Sequence, residues 1–174
     1  FAASMTSQAN RSYFLDSVRY WTGDDTKIVV DNDRKNEKEY EDEQKAIDDI
    51  EKELSVDIPR FLYRPEGLKF KDYNISKDFE YALLQYDYND TIMTLYINKY
   101  DKETKSTGAS LDGKEIETIK LPEGEASIQV KRIMAKGDKK ASYVAYWNNS
   151  TEFYQIESQM EEKEFIKLIK NIKF

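Results

Sequence analysis

The sequence predicts an α+β domain: a curved antiparallel β-meander of about six strands, with an N-terminal charged helix and a C-terminal amphipathic helix packed on it. Three observations lead there. Residues 79–100, FEYALLQYDYNDTIMTLYINKY, alternate with period two on both sides of Asn89-Asp90. Residues 34–57 form a charged run in which Tyr40, Ile47, Ile50 and Leu54 make one narrow stripe at helical spacing. Near the end, Phe165, Leu168, Ile169 and Ile172 make a second such stripe. A helix with one apolar stripe must bury it, and a sheet offers the matching face.

In chain order, residues 1–33 read as an N-terminal arm or membrane-proximal segment. Phe14, Val18 and Trp21 have helical spacing there, and Lys27 to Asp31 is a short strand candidate. The chain opens Phe1-Ala-Ala-Ser-Met, which reads as a trimmed or processed start. Residues 34–174 read as a single α+β domain. The charged helix should stop before Pro59, because a residue preceding proline avoids the helical region. Phe61 to Gly67 is a turn, and Leu68 to Ile75 a strand. The central pair comes next, each strand about ten residues long, joined at Asn89-Asp90, residues that tolerate positive φ. Lys102 to Ser110 is a polar loop. Strands are expected at Lys114–Leu121, at Ala126–Ala135 with Ile128, Val130 and Met134 on one face, at Ser142–Asn148 and at Phe153–Glu157. Turns fall at Pro122-Glu-Gly124, Gly137-Asp138 and Asn149-Ser150. Ser158 with Glu161 has the spacing of a capping box. Glu161, Glu162 and Glu164 lie early in the final helix and Lys167, Lys170 and Lys173 late, as the helix dipole prefers.

Composition narrows the chemistry. The chain has neither cysteine nor histidine. Thiolate nucleophiles, Cys-ligated zinc, His-ligated metals and Ser-His-Asp triads are therefore excluded. A net charge of -7 argues against nucleic acid and anionic membrane surfaces. The expected relation to a membrane is only through a segment upstream of Phe1. Thirteen tyrosines and eight phenylalanines in a chain that is 35% charged supply half-buried sheet faces or a binding surface. No cofactor is expected. Six glycines, none paired closely, give no phosphate loop. Asp31-Asn-Asp33 echoes the start of a calcium loop, but Lys35 replaces a ligand and Asn36 the central glycine.

Two constellations remain. Glu115 and Glu117 share a strand parity near Asp112, the arrangement a carboxylate-only hydrolase would use; a solvated strand face explains them equally well. Tyr81, Tyr86, Tyr88, Tyr96, Tyr146 and Trp147, with Tyr143 and Tyr154 beside them, would line a concave sheet and stack on lipid or glycan. The competing reading places most of them in the core and its rim. Asn-x-Ser/Thr triplets start at Asn10, Asn74, Asn89, Asn148 and Asn149, and matter only in a host that glycosylates secreted proteins.

Ile58-Pro59 through Tyr63-Arg64-Pro65-Glu66-Gly67-Leu68 resembles the opening of domain-of-unknown-function family 4367. Met93 to Ile97, Val144-Ala-Tyr-Trp147, Phe153-Tyr-Gln-Ile156 and Phe165-Ile-Lys-Leu-Ile169 extend the likeness over about residues 58–174. Arg64 departs from the family's usual apolar residue, and Asn171 stands near its terminal serine. The stretch Met5 to Arg11 resembles the residues just past a membrane span in such proteins. The resemblance implies an extracytoplasmic domain of a membrane-anchored, single-span protein of Gram-positive bacteria, some relatives being anti-sigma-factor-like or sensor proteins. It implies no catalytic residues. The expected function is therefore a non-catalytic sensing or interaction domain whose partner is an unknown protein or small ligand outside the cell. The alternative is a lipid- or glycan-binding carrier module.

Overall fold

The computed structural model describes residues 32–99, 113–121 and 126–174. The expected arm elements before Asn32, the 102–110 loop, the 122–124 turn and Asp112 lie outside them. The described chain is α+β. Helix α1 (Asn32–Leu54) precedes strands β1 (Arg60–Phe61), β2 (Leu68–Ser76), β3 (Tyr81–Tyr88), β4 (Thr91–Lys99), β5 (Lys114–Lys120), β6 (Ser127–Ile133), β7 (Ser142–Asn148) and β8 (Glu152–Ser158). Helix α2 (Glu162–Lys170) and β9 (Ile172–Lys173) close it.

The large sheet has seven strands in the order β2-β3-β4-β8-β7-β6-β5, and every neighbouring pair is antiparallel. This corrects the single meander of about six strands. There are two meanders, β2–β4 and β5–β8, and β8 joins them by pairing with β4. With four antiparallel steps between them, β4 and β5 run parallel, so no tight turn can link them. A separate two-stranded ribbon pairs β1 with β9, and Ile172 belongs to it instead of to the final helix.

Alternation sorts the sheet into two faces. The row Leu84, Leu95, Ile156, Ala145 and Val130 crosses five strands in register, and each of the five is 0% exposed. Ile47, Ile50 and Leu54 of α1, and Phe165, Leu168 and Ile169 of α2, pack into the same core. Both helices therefore cover one face. The other carries a smaller cluster of Leu83, Tyr96 and Phe153, with Tyr81 and Tyr146 against it.

Local chemistry sets the boundaries. Helix α1 ends at Leu54, short of Pro59, because Ser55 takes a φ of 53° while its N–H still bonds Glu51 O at 2.9 Å. Lys99 Nζ donates to the Leu54 carbonyl at 3.1 Å, a cation at the negative end of the helix. Asn32 and Asp33 are already helical, and Asp31 lies outside the described residues. Helix α2 has Glu161 at its N-cap with no side-chain cap, and Ser158 Oγ accepts the Met160 N–H instead of forming a capping box. Asn89 takes a φ of 52° in the β3–β4 turn. Gly67 has a φ of 86°, and an added Cβ would lie 2.8 Å from Asn89 Oδ1, so only glycine fits there. Phe79 lies in the 77–80 turn ahead of β3 and Met134 lies just past β6; both are exposed, outside the strands predicted to hold them.

Truncating the core row should be costly. Leu95→Ala should lose about 2–5 kcal/mol in urea unfolding. Phe79→Ala, at a residue 75% exposed, should lose less than about 0.5 kcal/mol. Equal losses would contradict this placement of the core.

Candidate functional site

The predicted aromatic platform divides between the two faces. Tyr81, Tyr96 and Tyr146 lie together on the face away from the helices. Tyr81 and Tyr96 have ring centroids 5.7 Å apart, Tyr96 meets Phe153 edge-on at 6.4 Å, and Lys131 Nζ stands 5.6 Å from the Tyr146 ring centre. Tyr86, Tyr88 and Trp147 belong to the helix side. Tyr143 and Tyr154 are there too, Tyr143 packing on Phe165 at 5.9 Å. The six named aromatics thus form no single surface. The division follows from register: Tyr86 and Tyr88 differ from Tyr81 by an odd number of residues, so the pleat turns them to the other side.

The candidate carboxylate pair is also divided. A bulge in β5 between Glu115 and Glu117 sets Glu115 opposite Lys131 and Glu117 opposite Val130, neighbours on opposite faces of β6. Glu117 Oε1 meets Lys170 Nζ of α2 at 2.5 Å, and Glu115 accepts from Thr118 Oγ1 at 3.0 Å. The two do not converge on one bond.

A further polar constellation, which the sequence pattern does not announce, is centred on a buried carboxylate. Glu43 of α1 is only 4% exposed. Arg64 Nη2 donates to both its oxygens, at 2.6 and 2.7 Å, and Tyr86 OH donates to Oε1 at 2.8 Å. One helical turn earlier, Glu39 Oε1 accepts the Phe70 N–H at 2.8 Å, beside the bulge of β2. A shallow cavity of about 320 Å³ opens over Glu39, Glu43, Arg64 and Lys69. Tyr40, predicted on the apolar stripe, is 67% exposed; Glu43 occupies the stripe instead. The signal was in the spacing, since 43, 47, 50 and 54 continue one helix face. The departure at Arg64 has the same cause: it answers a buried carboxylate.

Other polar contacts also tie elements together. Tyr63 OH donates to Glu164 Oε2, and Lys167 Nζ lies 3.9 Å from the Tyr63 ring centre. Tyr73 OH donates to Asp49 at 2.6 Å, and Tyr154 OH to the Asp57 carbonyl at 2.9 Å. Glu51 Oε1 accepts from Ile58 N and Arg60 Nη2. These ties move phenol pKa values. The hydrogen bond to Asp49 pushes Tyr73 up to about 12, and burial pushes Tyr96 up to about 12. Burial, then the charge of Glu43, holds Tyr86 well above the usual phenol range. Among the described residues, no group of three or more acidic side chains is placed to hold a metal ion.

The described residues thus form an antiparallel sheet covered on one face by two helices, with polar side chains tying one element to another. The family described as Domain of unknown function (DUF4367) matches residues 58–172. That is more than half of the chain, and the chain belongs to this family. No match is found among the curated proteins or the solved structures.

Two outcomes test the site. Glu43→Ala leaves Arg64 and the buried Tyr86 hydroxyl without an acceptor and should cost roughly 3 kcal/mol. The triple variant Glu43→Leu/Arg64→Leu/Tyr86→Phe should recover most of that loss in the same urea titration. Separately, Tyr73, Tyr86 and Tyr96 hold their protons more tightly folded than unfolded. Their contribution to stability is intact below about pH 10 and is lost as pH rises through about 12. Urea midpoints should accordingly hold up to about pH 10 and fall between about pH 10 and pH 12, with phenolate absorbance rising as the chain unfolds. A flat midpoint over that range would contradict these ties.

Proposed function

We propose that this chain is a non-catalytic sensing or interaction domain of a membrane-anchored regulatory protein, held on the outer side of the cytoplasmic membrane of a Gram-positive bacterium. The supporting observation is how the polar groups are used. Glu43, Arg64, Tyr86, Tyr63, Glu164, Tyr73 and Asp49 are engaged with one another across elements. The strand carboxylates Glu115 and Glu117 are turned to opposite faces. An acid–base pair needs a shared cleft and a free proton path, whereas a recognition scaffold needs rigidity. The membrane placement rests on what the resemblance over about residues 58–174 implies.

A second reading, a carrier module for lipid or glycan, is favoured by one observation: Tyr81, Tyr96 and Tyr146 gather on the face away from both helices. No helix among the described residues is long and apolar enough to cross a membrane. In the first reading the anchor is a segment upstream of Phe1, and a short cytoplasmic part beyond it engages a sigma factor or another regulator.

The test is topological. The full-length gene product, tagged at its C-terminus, is expressed in a Gram-positive host and fractionated. Protease is then added to intact protoplasts. The proposal expects the tag in the membrane fraction and removed by external protease. A tag in the cytosol, protected until lysis, would overturn it.

A further inference from the structure

A cleft of about 480 Å³ opens where the end of β7, the last turn of α2 and the β1–β9 ribbon meet. Its size falls within the roughly 300–1,000 Å³ of small-molecule sites. Leu62, Trp147, Ile172 and Phe174 give it apolar walls. Leu62 and Phe174 are two of the five large hydrophobic side chains exposed among the described residues, and both lie at this cleft. Trp147 stacks on Tyr154 at 5.0 Å with an interplanar angle of 7°, and Phe174 sits edge-on to both rings.

The polar part of the lining favours acceptors. Lys170 and Lys173 line the cleft against one carboxylate, Asp57. Lys170 is already matched by Glu117, while Lys173 makes no ion pair among the described residues. Trp147, though only 2% exposed, has its Nε1 buried without an acceptor among the described residues. An indole N–H can only donate, and a buried donor left unpaired is costly.

We infer that this cleft binds a single-chain amphiphile with an anionic head. The chain lies along Leu62, Ile172 and the Trp147–Phe174 aromatics, and the head accepts from Lys173 and, after a small displacement of the half-exposed Phe174 ring, from the indole. This site is separate from the Tyr81–Tyr96–Tyr146 face, and it rests on neither reading of function above.

The test uses the Trp21→Phe protein, in which Trp147 is the remaining tryptophan, titrated with sub-micellar dodecanoate and followed by indole emission. Calorimetry on the unaltered protein repeats it. A saturable change is expected with dodecanoate and with dodecyl phosphate. Dodecyltrimethylammonium should bind at least about tenfold more weakly. Lys173→Glu should weaken dodecanoate by about tenfold, and Lys173→Arg should retain it, both with an unchanged thermal midpoint. The inference fails if neither anionic chain gives a saturable response, if the cationic chain binds as well, or if Lys173→Glu has no effect. Because the readout is binding to the soluble domain, any of these failures leaves the membrane placement to its own test.

Discussion

Everything in the fold depends on β8 lying between β4 and β7. It carries Ile156 into the row that runs from Leu84 through Leu95 to Ala145 and Val130. All seven of its residues are buried. Without β8 the chain has two small meanders, each with an open edge and half a core. With it, one sheet presents a continuous apolar face wide enough for two helices. The cost is sequence separation: β4 must wait for a strand more than fifty residues further on, and such distant pairings slow folding without weakening the final sheet.

The helices meet that face by different means. Helix α2 brings Phe165, Leu168 and Ile169, all buried. Helix α1 is far more polar and brings a thinner stripe, supplemented by a buried carboxylate. Removing a charge from water is unfavourable unless it is fully paired, and Glu43 is paired twice by Arg64 and once by Tyr86. Such a knot contributes little net stability compared with an apolar contact of the same volume. What it supplies is register, because α1 displaced along its axis would part the carboxylate from Arg64 and Tyr86. The helix lies outside the family-matched residues 58–172, and Arg64 and Tyr86 lie inside them, so this contact joins the helix to the family fold.

Much of this was readable from residue order. Alternation in 81–88 and 91–99 identified both strands and placed Ala82, Leu84, Met93, Leu95 and Ile97 on consistent sides. Two things were not readable. Strand order was hidden, because turn residues show where strands end and not which strands pair. The bulges at Lys71 and Ile116 were hidden, because an extra residue in a strand leaves the composition unchanged while reversing every later side chain; this separated Glu115 from Glu117. The site was legible only in part. Residue type groups Tyr86, Tyr88 and Trp147 with Tyr81, whereas parity alone sets Tyr86 and Tyr88 apart from it. Glu43 looks like one more charge on a charged helix, although its spacing matches the stripe.

The central claim is that β4 and β8 form the seam of a single cooperative sheet. Amide hydrogen exchange under native conditions tests it most directly. Amides of Leu95, Ile97, Tyr154 and Ile156 that bond across the seam should exchange only through global unfolding, at the free energy found by urea titration. Seam amides that exchange as fast as those of the edge strands β2 and β5, well below the global free energy, would show two separately opening meanders and contradict the account.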